Sequence, residues 1–162
     1  MSCRLPGATT LEQYWRNLAE GLESLTELSA TDLEQAGVDP QVLSDPDYVT
    51  RASVLADVAG FDASFWGYTP LEARLMDPQH RLFLECAWEV LEQGGYNPWV
   101  YPGPIGVFTG AKTNTYLFNI VSNREVFRSL ENFQIALGND MASMATRISY
   151  KLDLRGPSYA IH

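Results

Sequence analysis

A helical period that runs into a proline turn and then into a short apolar run constrains this chain more than any other feature. It spans Gly138 to His162, GNDMASMATRISYKLDLRGPSYAIH. Met141, Met144, Ala145 and Ile148 fall at i, i+3, i+4 and i+7, so they share one face of a helix. Arg155-Gly156-Pro157 bars continuation of that helix and sets a turn. Ser158-Tyr159-Ala160-Ile161 is then short and largely apolar, the pattern of a buried strand. The sequence stops on that strand with no helix after it, which suggests a domain cut in the middle.

The chain has 162 residues, enough for one domain with a sizeable core. Hydrophobic residues make up 46% and charged residues 19%, a globular rather than a disordered composition. The net charge of −9 disfavours nucleic acid and anionic membranes as partners. No apolar run approaches the ~18 residues of a membrane span, and MSCRLPGATT lacks a secretory apolar core. Cys3 and Cys86 form neither a metal spacing nor a disulfide framework, so a reducing cytoplasm is the expected setting.

Earlier in the chain, Thr9 with Glu12 forms a capping-box pattern before a helical face of Leu11, Tyr14, Trp15 and Leu18. Thr31 with Glu34 repeats that pattern ahead of Gly37, and residues 38–60 read as an extended surface segment punctuated by Asp39-Pro40 and Asp45-Pro46. Phe61, Phe65 and Trp66 form an aromatic cluster suited to core packing. Thr69-Pro70-Leu71-Glu72 starts a helix that breaks at Asp77-Pro78. A second helix follows from about Gln79 to Gln93, capped by Gly94-Gly95. Its apolar positions cover well over half the circumference, which predicts burial between layers. Arg81, Glu85, Glu89 and Glu92 form its one wet stripe, and His80 reads as a solvent-facing or capping histidine. Ile105 to Gly110 is a central-strand candidate. Asn114 to Val121 and Arg124 to Leu130 are candidate helices.

Two of these stretches carry a resemblance. GN…A.RISY.L.L.GPSYAI and MDPQHRLFLE (76–85) resemble the ketosynthase domains of modular polyketide synthases and mixed peptide–polyketide assembly lines, with FDASFWG and GVFTG resembling further family segments. The resemblance implies an α/β, thiolase-like αβαβα fold, of which residues 1–162 would be part of the first half, with no second domain. It implies that the family's first strand and the catalytic-cysteine helix are missing. It also implies a homodimer, an acyl carrier protein as partner together with the rest of the synthase, and substrates carried on that protein's phosphopantetheine with no bound cofactor or metal. The family's tunnel wall and dimer contact fall partly within 111–137; Phe133, Ile135, Asn139, Met141 and Met144 are the candidates here, core packing being the ordinary alternative for Phe133 and Ile135.

The family's reaction is a decarboxylative Claisen condensation that extends an acyl chain by two carbons, through a cysteine thiolate at a helix N-terminus and two histidines. The expected cysteine lies just beyond His162, and the histidines and a family lysine lie further on, so no catalytic residue is assigned. Cys86 sits on an apolar helix side and Cys3 in a loop, neither with a motif for activation. The chain alone is therefore expected to be inactive and of marginal stability. Two rivals stand beside this reading. One is a non-enzymatic dimerisation or carrier-docking half complemented by another chain, its open sheet edges adhesive. The other is a decarboxylase-like or chain-length-controlling homologue in which the cysteine is replaced.

Overall fold

The structure is a computed structural model that describes residues 1–122 and 132–161, and of 132–134 the backbone alone. It comprises two compact units, Cys3–Asp57, and Met1–Ser2 together with Val58–His162.

In the first unit, Pro6-Gly7 turns the chain so that Leu5 and Ala8 bridge. Helix α1 (Leu11–Ala19) is capped by Thr10, whose side chain accepts the Gln13 amide at 3.1 Å. The cap is therefore not Thr9, as the pattern suggests. Gln13 Oε1 instead accepts from the amide and hydroxyl of Thr9, the residue before the cap, so the reciprocal bond of a capping box is not returned to Thr10. Strand β1 (Thr26–Glu27) precedes α2 (Ala30–Gln35), which starts earlier than the expected Thr31 cap. Ser29 and Asp32 make the reciprocal box there, and a carboxylate also suits the positive end of a helix. The segment expected to be extended from 38 to 60 holds more order. Asp39 caps a single helical turn, α3 (Pro40–Leu43), and β2 (Arg51–Ala52) pairs antiparallel with β1. Two-residue strands carry no readable period, so nothing in the sequence signals this ribbon.

The second unit holds the longer elements. Thr69 and Glu72 cap α4 (Pro70–Leu75) reciprocally. Glu72 is held below the usual carboxylate range chiefly by the Thr69 amide. Asp77 then caps α5 (Pro78–Gly94). Strand β3 (Val107–Gly110) is followed by α6 (Tyr116–Ser122) and α7 (Asn132–Asn139). The Arg124 to Leu130 helix candidate lies outside the described residues. A 3-10 turn at Met141–Ser143 leads into α8 (Met144–Lys151) and then β4 (Ser158–Ile161). Strands β3 and β4 are parallel, in the register Val107↔Ser158 through Gly110↔Ile161.

The core lies between α5, α8 and one face of this strand pair. Leu84 and Ala145 are fully buried, with Met144, Ile148, Leu152, Val107, Met76 and Trp66 around them. Three of the four positions predicted to share a face, Met144, Ala145 and Ile148, are within this cluster, and Met141 packs against it. Helix α5 differs from its expectation. Only His80, Arg81 and Leu84 are buried, while Val90 is exposed, because the described residues cover one side of it and leave the other open. Arg81 leaves the predicted wet stripe: it is buried, and its guanidinium donates to the Ala59 carbonyl at 3.4 Å. Likewise β4 is covered on one face only. Tyr159 (60% exposed) and Ile161 (63%) stand on the open face beside Phe108 (61%), whose ring stacks on Tyr159 at 5.9 Å.

Candidate functional site

In parallel α/β sheets, ligands are met at the carboxyl ends of strands. Here those ends are Gly110 and Ile161, brought level by the parallel register. What holds the chain leaving β3 is a polar clamp built on α5. Asp77 is 3% exposed, and its Oδ1 accepts the Gln79 amide at 2.7 Å. Gln79 then reaches across. Its Nε2 donates to the Lys112 carbonyl at 3.2 Å and its Oε1 accepts the Lys112 amide at 3.2 Å. A reciprocal side-chain amide pair of this kind fixes both position and orientation of a loop.

Two residues on, Asn114 joins the loop to α7. Its Nδ2 donates to Asn139 Oδ1 and to the Asn139 carbonyl, both at 2.9 Å, and its Oδ1 accepts the Leu117 amide at 3.1 Å. Asn139 is 6% exposed, and its own Nδ2 donates to the carbonyls of Leu75 (2.7 Å) and Ile135 (2.8 Å). The backbone adds a further tie, Asp77 N–H to the Gly138 carbonyl at 3.1 Å. Two helices, α4 and α7, and one loop thus converge on one buried amide. Asn139→Ala would leave two buried carbonyls without these donors and Asn114 without one of its two acceptors. We expect it to lower unfolding free energy by about 2 kcal/mol, read from urea denaturation. A change within the error of the wild-type midpoint would show that water replaces the amide at no cost.

A second buried network lies one turn along α5. His80 is fully buried, not solvent-facing as its place in the sequence suggests. Its Nδ1 accepts a hydrogen bond from Arg147 Nε at 3.2 Å, which places the ring proton on Nε2. Among the described residues that Nε2 has no partner. Burial is the main reason the imidazole is held down to about 4; the Arg147 charge adds to this, and Asp77 and Asp140 oppose it. Arg147 also donates to the Tyr68 hydroxyl at 3.2 Å and to the Leu137 carbonyl. Lys151, one turn later, donates to the Trp66 carbonyl at 2.6 Å with its ammonium 3.8 Å from the Tyr68 ring centroid. Burial lowers its pKa against the opposing pull of Glu72. Helix α8 is thereby pinned along one side, and it feeds β4 directly.

The predicted site residues are distributed across this region. Asn139 is at the centre of the first network. Ile135 is buried with Leu75 and Ile120 in a small second core. Met144 lies in the main core and Met141 at its margin. Phe133 lies on α7, with its side chain outside the described residues. Asn114, Gln79 and Arg147 join the site without a sequence signal. Asn114 stands in a stretch without periodicity, and the roles of the other two depend on partners 33 and 67 residues away. Cys3 and Cys86 are free and half-buried, Cys86 on a groove of about 290 Å³ with Phe83, Ile105 and Phe108. Among the described residues no group of three His, Cys, Asp or Glu is placed to hold a metal ion, and no helix is long and apolar enough to cross a membrane.

The family described as "Beta-ketoacyl synthase, N-terminal domain" matches residues 1–162 in full. The chain belongs to the β-ketoacyl synthase family. Over 168 aligned residues it is 44% identical to a phenolphthiocerol/phthiocerol polyketide synthase of Mycobacterium tuberculosis, covering 99% of this chain and 11% of that protein. It is 36% identical to erythronolide synthase EryA2 of Saccharopolyspora erythraea, covering 99% of this chain and 4% of that one. Among solved structures, ketosynthase twelve of the bacillaene polyketide synthase of Bacillus amyloliquefaciens superposes with a TM-score of 0.79 at 30% identity, covering 99% of this chain and 28% of that chain. An oxazolomycin ketosynthase domain of Streptomyces albus gives 0.77 at 33% identity, covering 98% and 27%. The fold is therefore that of the N-terminal part of a polyketide synthase ketosynthase, thiolase-like as expected. The chain spans about a tenth or less of the synthases it matches and little more than a quarter of the solved ketosynthase chains.

Proposed function

We propose that this chain contributes the N-terminal scaffold of a ketosynthase that extends a carrier-bound acyl chain by two carbons through decarboxylative Claisen condensation. The observation that supports it is the placement of β4. Helix α8, pinned by Arg147 and Lys151, delivers Ile161 beside Gly110 at the carboxyl end of a parallel pair, and the loop leaving β3 is clamped through Gln79 and Asn114. In this reading the cysteine nucleophile follows β4 in the same polypeptide. Its thiolate, stabilised at a helix N-terminus, attacks the carrier-bound thioester and releases the pantetheine thiol. Two histidines outside this chain then assist loss of carbon dioxide from a malonyl-type extender, and the resulting carbanion attacks the enzyme thioester. Phe133, Ile135, Asn139, Met141 and Met144 belong to the region proposed to form the tunnel wall and dimer contact, Ile135 and Met144 supporting it from within the cores. The partner is a phosphopantetheinylated acyl carrier protein, and the setting a cytoplasmic synthase.

The test is condensation by the polypeptide that continues beyond His162, given an acyl thioester and a malonyl-loaded carrier protein. A product two carbons longer on the carrier supports the proposal. Decarboxylation without chain extension would point to the decarboxylase-like homologue instead.

A second reading is favoured by the open sheet face of Phe108, Tyr159 and Ile161, an apolar surface of the kind that marks an interaction site. Here the chain is a half completed by a separate C-terminal half. A monodisperse complex formed only on mixing two separately expressed halves supports it.

A further inference from the structure

The C-terminal end of α5 carries an aromatic pocket remote from the networks described above. The helix closes with Gly95 in the left-handed region (φ 71°), its N–H bonded to the Glu92 carbonyl, while the Tyr96 amide bonds to the Leu91 carbonyl at 2.9 Å. Asn97 then folds the chain back. Its Oδ1 accepts the Trp99 amide at 3.0 Å and its carbonyl accepts the Tyr101 amide at 2.9 Å. This return brings Trp99 against Trp88, with ring centroids 5.8 Å apart and planes at 56°. The tilted rings, with Leu91, Glu92, Tyr96 and Pro98, line an open pocket of about 270 Å³.

Three features of the pocket favour a cation. The aromatic faces present negative quadrupole potential, with Trp99 55% and Tyr96 49% exposed. Glu92 adds a carboxylate to the lining. The helix that ends here is 17 residues long, and its macrodipole places roughly half a negative charge at this C-terminus. The Trp88 wall is preformed, since this ring is held in T-shaped pairs with Phe65 (5.0 Å) and Trp66 (6.1 Å). An apolar lining excludes strongly hydrated cations and suits one whose charge is spread over methyl groups. The volume suits a small ligand rather than a drug-sized one.

We propose that this pocket binds a small quaternary ammonium ion of the choline type, between the faces of Trp88, Trp99 and Tyr96, with Glu92 as counter-ion. The experiment is titration of the 162-residue chain with choline, followed by tryptophan fluorescence, beside 3,3-dimethylbutanol, its uncharged isostere. Saturable binding is expected for choline, at least roughly tenfold tighter than for the isostere. Trp99→Ala is expected to weaken it by roughly tenfold, and Glu92→Gln by roughly threefold with a smaller salt dependence. Both side chains are exposed, and a thermal melt of each variant confirms that it folds. Equal affinity for the neutral isostere, unaltered binding by folded Trp99→Ala, or a titration that never saturates would each overturn the proposal.

Discussion

Replacing Gly156 with alanine is expected to lower unfolding free energy by about 3 kcal/mol, at the upper end of what overpacking costs. A Cβ at this position would lie 2.4 Å from both the carbonyl carbon and oxygen of Ile105, and 2.5 Å from the Gly106 nitrogen. No side chain can rotate away to relieve it, because every one of those atoms is backbone. Nor can the backbone shift freely. The Gly156 amide donates to the Ile105 carbonyl at 3.0 Å, and the Val107 amide to the Pro157 carbonyl at 2.8 Å. These two bonds set the register in which β3 and β4 begin, so the strain must be absorbed by the very contact that aligns Gly110 with Ile161. Urea denaturation of the variant measures it. A loss below about 1 kcal/mol would mean that this turn yields far more easily than its hydrogen bonds imply.

Acidification is the second large effect. His80 has an ordinary pKa of 6.5 that falls to about 4 in the folded chain. Between those values the unfolded chain holds the imidazole proton and the folded chain does not, so protons favour unfolding. The stability contributed by neutral His80 is fully present above about pH 6.5 and is lost as pH falls toward 4. A difference of that size amounts to about 3 kcal/mol. The sign follows from the geometry: a protonated Nδ1 can no longer accept from Arg147 and would set two cations 3.2 Å apart in a buried site. Glu72 and Asp62, whose carboxylates are also depressed from 4.5 and 3.8, add to the decline only from about pH 4.5 downward. The measurement is the urea midpoint from pH 7.5 to 4, with His80→Gln as control. Glutamine keeps an acceptor for Arg147 but has no titration, so its profile should flatten across this window. An unchanged wild-type midpoint between pH 6.5 and 4 would contradict the buried neutral histidine.

The second unit is largely legible in the sequence, for identifiable reasons. Asp77-Pro78 can only end one helix and begin another, and the α8 face follows from Met144, Ala145 and Ile148 at helical spacing, with Met141 on the 3-10 turn before it. Gly156-Pro157 marks the turn, although its proximity to Ile105 leaves no sequence trace. The first unit is less legible. Its caps fall at Thr10 and Ser29 rather than at the neighbouring threonines, since several hydroxyl residues close together offer equivalent caps and tertiary context decides among them. The candidate site divides in the same way. Asn139 is named in the sequence through the family resemblance alone, which gives no sign of its buried amide bonds to Leu75 and Ile135. His80 is misplaced by sequence reasoning because its environment is supplied by Arg147, and Arg81 because a charged residue in a charged stripe gives no sign that a distant carbonyl will receive it. Long-range polar pairing leaves no period.

The proposal that this chain frames a condensing site without supplying its nucleophile is open to a direct test by intact-mass spectrometry. The 162-residue chain and the polypeptide that continues past His162 are each incubated with an acyl-pantetheine thioester, then digested to locate any adduct. No adduct is predicted on the shorter chain, and a single acyl group on the longer one, on a cysteine shortly after β4. An acyl group on Cys3 or Cys86, or a longer polypeptide that takes up none, would contradict this assignment.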